Sequence, residues 1–86
     1  MYWTDRVESI YNFLNSNGYS GVINKMIEEF GVGGTPGEQF SIVCVWLAKM
    51  RNHNHELYNQ IKEHADKILQ EGIDIKYFTD SYYKKL

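Results

Sequence analysis

This 86-residue chain has a single cysteine, a single proline, no long apolar run and no block of like charge. Each scarcity excludes something. One cysteine, Cys44, cannot build an intramolecular disulfide framework and fits a reducing compartment. The apolar stretches are far shorter than a bilayer requires. Met1 is followed at once by Tyr2, Trp3, Thr4, Asp5 and Arg6, so no secretory leader is apparent. Nine Lys and Arg stand against eleven Asp and Glu, which leaves no polybasic footprint for nucleic acid or for a membrane surface. These readings describe a cytoplasmic protein with no nucleic-acid or membrane partner. The length fits one domain over residues 1–86, with a core that buries a smaller share of surface than a larger protein would.

Aromatics are plentiful. They make up 15% of the chain, and seven are tyrosines. Such residues can fill a small core or serve wet interfaces, because a tyrosine hydroxyl tolerates both settings.

The segment from Thr35 to Asn52 is the expected centre of the fold. Thr35 and Glu38 have capping-box spacing, in which the hydroxyl and the carboxylate each satisfy an orphan amide, and Pro36 falls at the first helical position. Phe40, Val43, Leu47 and Met50 continue at steps of three and four, and Lys49 and Arg51 suit a helix carboxyl end. The β-formers Ile42, Val43, Val45 and Trp46 keep a buried strand as the alternative. A helix so apolar needs neighbours on most sides.

The rest of the chain provides them. Thr4 or Asp5 can cap a first helix striped by Val7, Ile10, Tyr11 and Leu14, ended by Asn17 and Gly18. Ser20 can cap a short second helix with Ile23, Met26, Ile27 and Phe30 on one face, expected to rest on the central helix. Gly31 to Gly34 then stop it and turn the chain into Thr35. Residues 51–55 read as a polar turn, and Asn54 caps a fourth helix with Leu57, Ile61, Ala65 and Ile68 inward, Tyr58 and Leu69 beside them. A Glu63–Lys67 pair is expected on its polar face, with Gly72 as its end. Asp74 could cap a last helix with Ile75, Phe78 and Tyr82 inward, unless Thr79 and Asp80 interrupt it. The expected fold is all-α, a compact bundle of four to five short helices around the apolar helix at about 35–52.

Few constellations carry chemistry. His53, His55 and Glu56 are ligand types, but residues two apart on a helix point to different faces, so only an irregular loop would bring both imidazoles to one ion. No cofactor or metal is expected, and a metal site on His53 and His55 is the third reading. The glycines from Gly31 to Gly37 precede a helix as phosphate loops do, yet Glu38 stands where such a loop needs lysine. Cys44 lies in apolar company that disfavours a thiolate. Glu28, Glu29 and Glu38 have no histidine, cysteine or further acid at a motif spacing for proton transfer. An apolar helix at 40–50 cannot read base edges as a recognition helix must.

Gly34, Thr35, Gly37 and Glu38, followed by Trp46, Leu47 and Arg51 and preceded by Ile27-Glu28-Glu29-Phe30, resemble a pattern in small all-helical bacterial proteins of the toxin-immunity kind. The similarity covers roughly the middle half of the chain. It implies a non-enzymatic, antitoxin-like protein that neutralises a partner by binding it through acidic and aromatic surface residues. The mild net charge departs from what a strongly basic nuclease partner would call for. On this reading the partner-binding candidates are Glu28, Glu29 and Glu38, with Tyr11, Tyr19 and Tyr58 as aromatic contacts. A homo-oligomeric structural or adaptor module is the alternative.

Overall fold

The computed structural model describes residues 3–30 and 34–86, all but the side chain of Phe30. Five helices follow one another: α1 (Trp3–Ser16), α2 (Ser20–Phe30), α3 (Pro36–His53), α4 (His55–Asp74) and α5 (Asp80–Lys84). The described residues contain no strand, so the strand alternative for 42–48 is set aside and the fold is all-α.

Local chemistry places most helix ends. The Glu38 amide donates to the Thr35 hydroxyl at 3.2 Å, with Pro36 opening α3 as the spacing requires. The capping box is only half made, because the Glu38 carboxylate lies over the Cα of Gly34 and not on the Thr35 amide. Gly34 adopts φ 87° there. The rest of the expected glycine turn, Gly31 to Gly33, lies outside the described residues.

At the end of α1, Gly18 takes φ 81° and the Tyr19 amide reaches back to the Leu14 carbonyl at 2.7 Å. This Schellman closure folds α2 back onto α1. Consequently α2 packs chiefly on α1 and not on α3 as the sequence led us to expect. Its Ile23 and Met26 are buried while Ile27 is exposed. A groove floored by Met26, Trp46, Met50 and Leu57 separates α2 from α3, and a Lys49–Glu29 ion pair of 3.0 Å bridges its rim.

The expected turn at 51–55 shrinks to one residue. Asn54 donates its amide to Met50 as the C-cap of α3 and accepts from the Leu57 amide as the N-cap of α4. The two long helices form the largest contact in the molecule, and α1 lies against α4. Phe40, Val43, Cys44, Trp46, Leu47, Ala48 and Met50 of α3 meet Leu57, Tyr58, Ile61, Ala65, Ile68 and Leu69 of α4, with Ile10 and Leu14 of α1 joining them in one core.

The end of α4 departs from expectation. Gly72 does not end α4 but is buried inside its last turns, because Tyr83 needs the space a side chain would fill. The helix stops at Asp74 through a second Schellman closure, in which the Tyr77 amide bonds the Gly72 carbonyl at 3.0 Å and the Lys76 amide bonds Ile73. Here Lys76 holds φ 64°, a left-handed conformation that glycine adopts more cheaply. Lys76→Gly should therefore raise the unfolding free energy by about 0.5–1 kcal/mol in urea denaturation. A neutral or destabilising result would mean the side chain contributes a contact that offsets the strain.

Thr79 and Asp80 do interrupt the tail. Thr79 caps α5 through the Tyr82 amide, and the inward residue is Tyr83, not Tyr82. Its ring is fully buried, its hydroxyl donates to the Leu69 carbonyl at 3.0 Å, and its own carbonyl accepts from Asn52 at 2.8 Å. The 2.8 Å contact between His53 Nε2 and the Leu86 carbonyl holds the last residue against α3.

On α4 the ion pair is Lys62–Asp66 at 2.6 Å and not Glu63–Lys67. Asp66 is fixed because the buried Tyr58 hydroxyl also donates to it. Partial burial opposes the Asp66 charge, but the bonds from Lys62 and Tyr58 outweigh it and hold the carboxyl below its ordinary value. A lowered folded value stabilises above the ordinary carboxylate range and ceases to do so as pH falls through the folded value. The stability gap between the wild type and Asp66→Asn should therefore be full at neutral pH and shrink below about pH 4. A gap that stays constant under acid would remove Asp66 from the pH response.

Candidate functional surface

The structure distributes the sequence-derived candidates over four places. Glu28 and Glu29 are exposed on α2, and Glu29 is already engaged by Lys49 at the rim of the α2–α3 groove. Tyr11 leans edge-on against Trp46, which floors the same groove, with ring centroids 6.0 Å apart. Tyr19 is half-buried at the α1–α2 turn, packed on the core. Glu38 stands exposed at the start of α3, on a different groove lined by Thr35, Gly37, Ser41, Ile42 and Tyr77.

Tyr58 requires a correction. It is 2% exposed and its hydroxyl is committed to Asp66, so no partner can reach it in the folded protein. The reason is geometric. Leu57 and Tyr58 are adjacent on α4, and α1 and α3 together cover an arc wide enough to enclose both.

The exposed aromatic surface forms at a segment expected to be helical, residues 75–82. Once Lys76 turns the chain left-handed, Ile75, Tyr77 and Tyr82 emerge with 48%, 53% and 45% of their surface exposed. Phe78 remains half-buried, stacked on Tyr82 at 5.5 Å and tilted against Tyr83 at 5.3 Å. Tyr77 lies along the first turn of α3, where its hydroxyl passes so close over Gly37 that a Cβ there would stand 3.2 Å away. Its ring meets Phe40 edge-on at 6.1 Å, and Phe40 in turn meets Trp3 at 5.3 Å.

Tyr77 is thus a ridge that borders two shallow grooves besides the one lined by Glu38. One runs over Ser41, Ile42, Val45 and Phe78. The other is lined by Trp3, Pro36, Phe40, Glu71 and Ile75. Apolar residues of this size, half exposed and side by side, mark an interaction surface more often than a catalytic one. The sequence held one clue to it: the run Ile73, Ile75, Tyr77, Phe78, Tyr82 and Tyr83 has more large apolar residues than one five-residue helix can turn inward.

The chemical candidates are dispersed. His53 is occupied by the Leu86 carbonyl and His55 is exposed at the start of α4. Among the described residues no three His, Cys, Asp or Glu side chains converge as metal ligands would. The ring of His64 lies 3.3 Å from the Arg6 guanidinium. Cys44 is fully buried beside the Ile68 carbonyl, and burial pushes its thiol up to about 11. A thiol held protonated in this way is a poor nucleophile. No described helix is long and apolar enough to cross a membrane. Searches against protein-family models, curated proteins and solved structures return no match, so what this chain does has to be read from its own surface.

Proposed function

We propose that this chain is a non-enzymatic protein-binding module of the immunity or antitoxin kind, which inhibits a bacterial toxin in the cytoplasm by covering its working surface. The observation that supports it is the exposure of Ile75, Tyr77 and Tyr82, with Glu71 and Glu38 each lining a groove that Tyr77 borders. Half-exposed tyrosines serve as anchors because they bring large contact area with few rotors to freeze, while flanking carboxylates match the basic residues of enzymes that act on anionic substrates. The toxin-immunity resemblance around Gly34 to Arg51 supplies the class of partner.

The test is affinity capture from the native host with the full chain as bait. One stoichiometric partner is expected, and Tyr77→Ala combined with Ile75→Asp should reduce its recovery by about 10-fold or more while helix content by circular dichroism stays unchanged. Equal recovery with the double variant would remove this surface from the interface. The pair Glu28→Lys and Glu29→Lys tests the α2 side in the same way, and loss there alone would move the contact to α2. Recovery of no partner at all would leave the self-associating module as the better reading.

A further inference from the structure

The outer side of α3 carries a pattern that reads the same by reflection about its middle. Between Phe40 and Met50 only Ser41, Ile42, Val45 and Lys49 escape burial. With Glu38 one turn earlier, Ile42, Val45 and Lys49 follow steps of four, three and four, the spacing of a coiled-coil seam, and share a stripe about 60° wide. The stripe runs from a carboxylate through two β-branched aliphatics to an ammonium. Reflected about the point between Val43 and Cys44, Glu38 exchanges with Lys49 and Ile42 exchanges with Val45.

Residues that meet across an antiparallel helix pair with two-fold symmetry are related by this same reflection. We propose that the Glu38–Ile42–Val45–Lys49 stripe is a self-association surface whose occupant is a second copy of this chain, with the two α3 helices antiparallel. Each Glu38 then faces Lys49 of the other copy at both ends of the seam, and Ile42 packs on Val45 twice in the middle. A parallel arrangement would set Glu38 against Glu38 and Lys49 against Lys49, which is repulsive.

Lys49 already meets Glu29 at 3.0 Å, so the Glu38 carboxylate of the other copy would join an existing ion pair at the rim. Phe78 and Tyr77 border the same groove and widen the apolar area on one flank. The seam is only about 16 Å long, so the association is weak and requires high concentration. It does not depend on the inhibitor reading, and its own variants, at Glu38, Val45 and Lys49, differ from those that test that reading.

Sedimentation equilibrium of the full chain at low salt tests it. From micromolar to millimolar protein, the average mass should climb from the monomer value of 10.1 kDa toward twice that figure. Glu38→Lys should weaken association about 10-fold or more by setting lysine against lysine at both ends. The exchanged variant carrying Glu38→Lys and Lys49→Glu, with Glu29→Lys to preserve the ion pair within each chain, should restore it to within about 3-fold of wild type, which no general loss of folding would do. Val45→Asp should leave the chain monomeric at every concentration with its helix content intact. A wild type that stays monomeric at millimolar concentration overturns the proposal. So does a dimer indifferent to Glu38→Lys, or an exchanged variant weaker than the single one.

Discussion

Replacing Tyr83 by alanine should lower the unfolding free energy by about 3–5 kcal/mol, measured by urea denaturation. For a domain of this size that is a large part of the total, which is typically about 5–15 kcal/mol. The ring is fully buried at the junction of α3, α4 and the tail, and α5 has only five residues, too few to be helical unaided. Four contacts that hold α5 pass through this residue: the hydroxyl on Leu69, the backbone carbonyl on Asn52, the ring against Phe78, and Arg51 at 6.0 Å from the ring. Tyr83→Phe separates the contributions. It keeps the packing and removes only the hydroxyl's bond, because the Leu69 carbonyl lies within α4 and keeps its helical partner, so it should cost about 0.5–1.5 kcal/mol. Equal losses in the two variants would mean that the ring itself contributes little.

Gly72→Ala gives the second large effect, and its sign runs against helix propensity. At an exposed helical site the change would stabilise by about 1 kcal/mol. Here the new Cβ would collide with the Tyr83 hydroxyl and stand 3.2 Å from the Cys44 sulfur and 3.4 Å from a Phe78 ring carbon. The Tyr83 ring cannot swing aside, because it is enclosed and its hydroxyl is bonded to Leu69. Overpacking of this kind costs about 1–3 kcal/mol, and a net destabilisation of about 2 kcal/mol is expected. Since the closest atom is the hydroxyl, the two sites must be non-additive. In a Tyr83→Phe background the alanine should cost at least about 1 kcal/mol less. Additive losses in the cycle would place the strain elsewhere.

These two sites also mark where the sequence ceases to be informative. Thr35, Pro36 and Asn54 announce helix ends through bonds that span three residues, and a pattern of that range is visible in a linear string. The stripes of α1 and α4 are legible for the same reason, as is the apolar centre of α3. The course of residues 72–86 is decided by Tyr83 entering the space above Gly72, a contact across eleven positions, and by a lysine taking a left-handed conformation expected of glycine. Nothing local signals either.

The candidate surface followed the same division. Tyr58 looks like any amphipathic tyrosine until Asp66, eight residues on, is placed two turns along the same helix to receive its hydroxyl. Glu29 and Glu38 read as free carboxylates, but the fold sets one against Lys49 and turns the other over Gly34. Ile75 was expected to face inward on a helix opened by Asp74, but the last helix begins only at Asp80 and leaves Ile75 exposed.

Asn54 has a bearing on how the chain finds this shape. One residue links α3 to α4, so the broadest interface in the molecule is also the one that closes the shortest loop. The chain gives up little configurational freedom to bring α3 against α4, whereas joining α1 to α4 must span the whole of α2 and α3. The hairpin is therefore the natural place for folding to begin. By the same reasoning the tail, whose Asn52–Tyr83 bond spans 31 residues, joins the hairpin at less entropic cost than α1, whose Arg6–His64 contact spans 58.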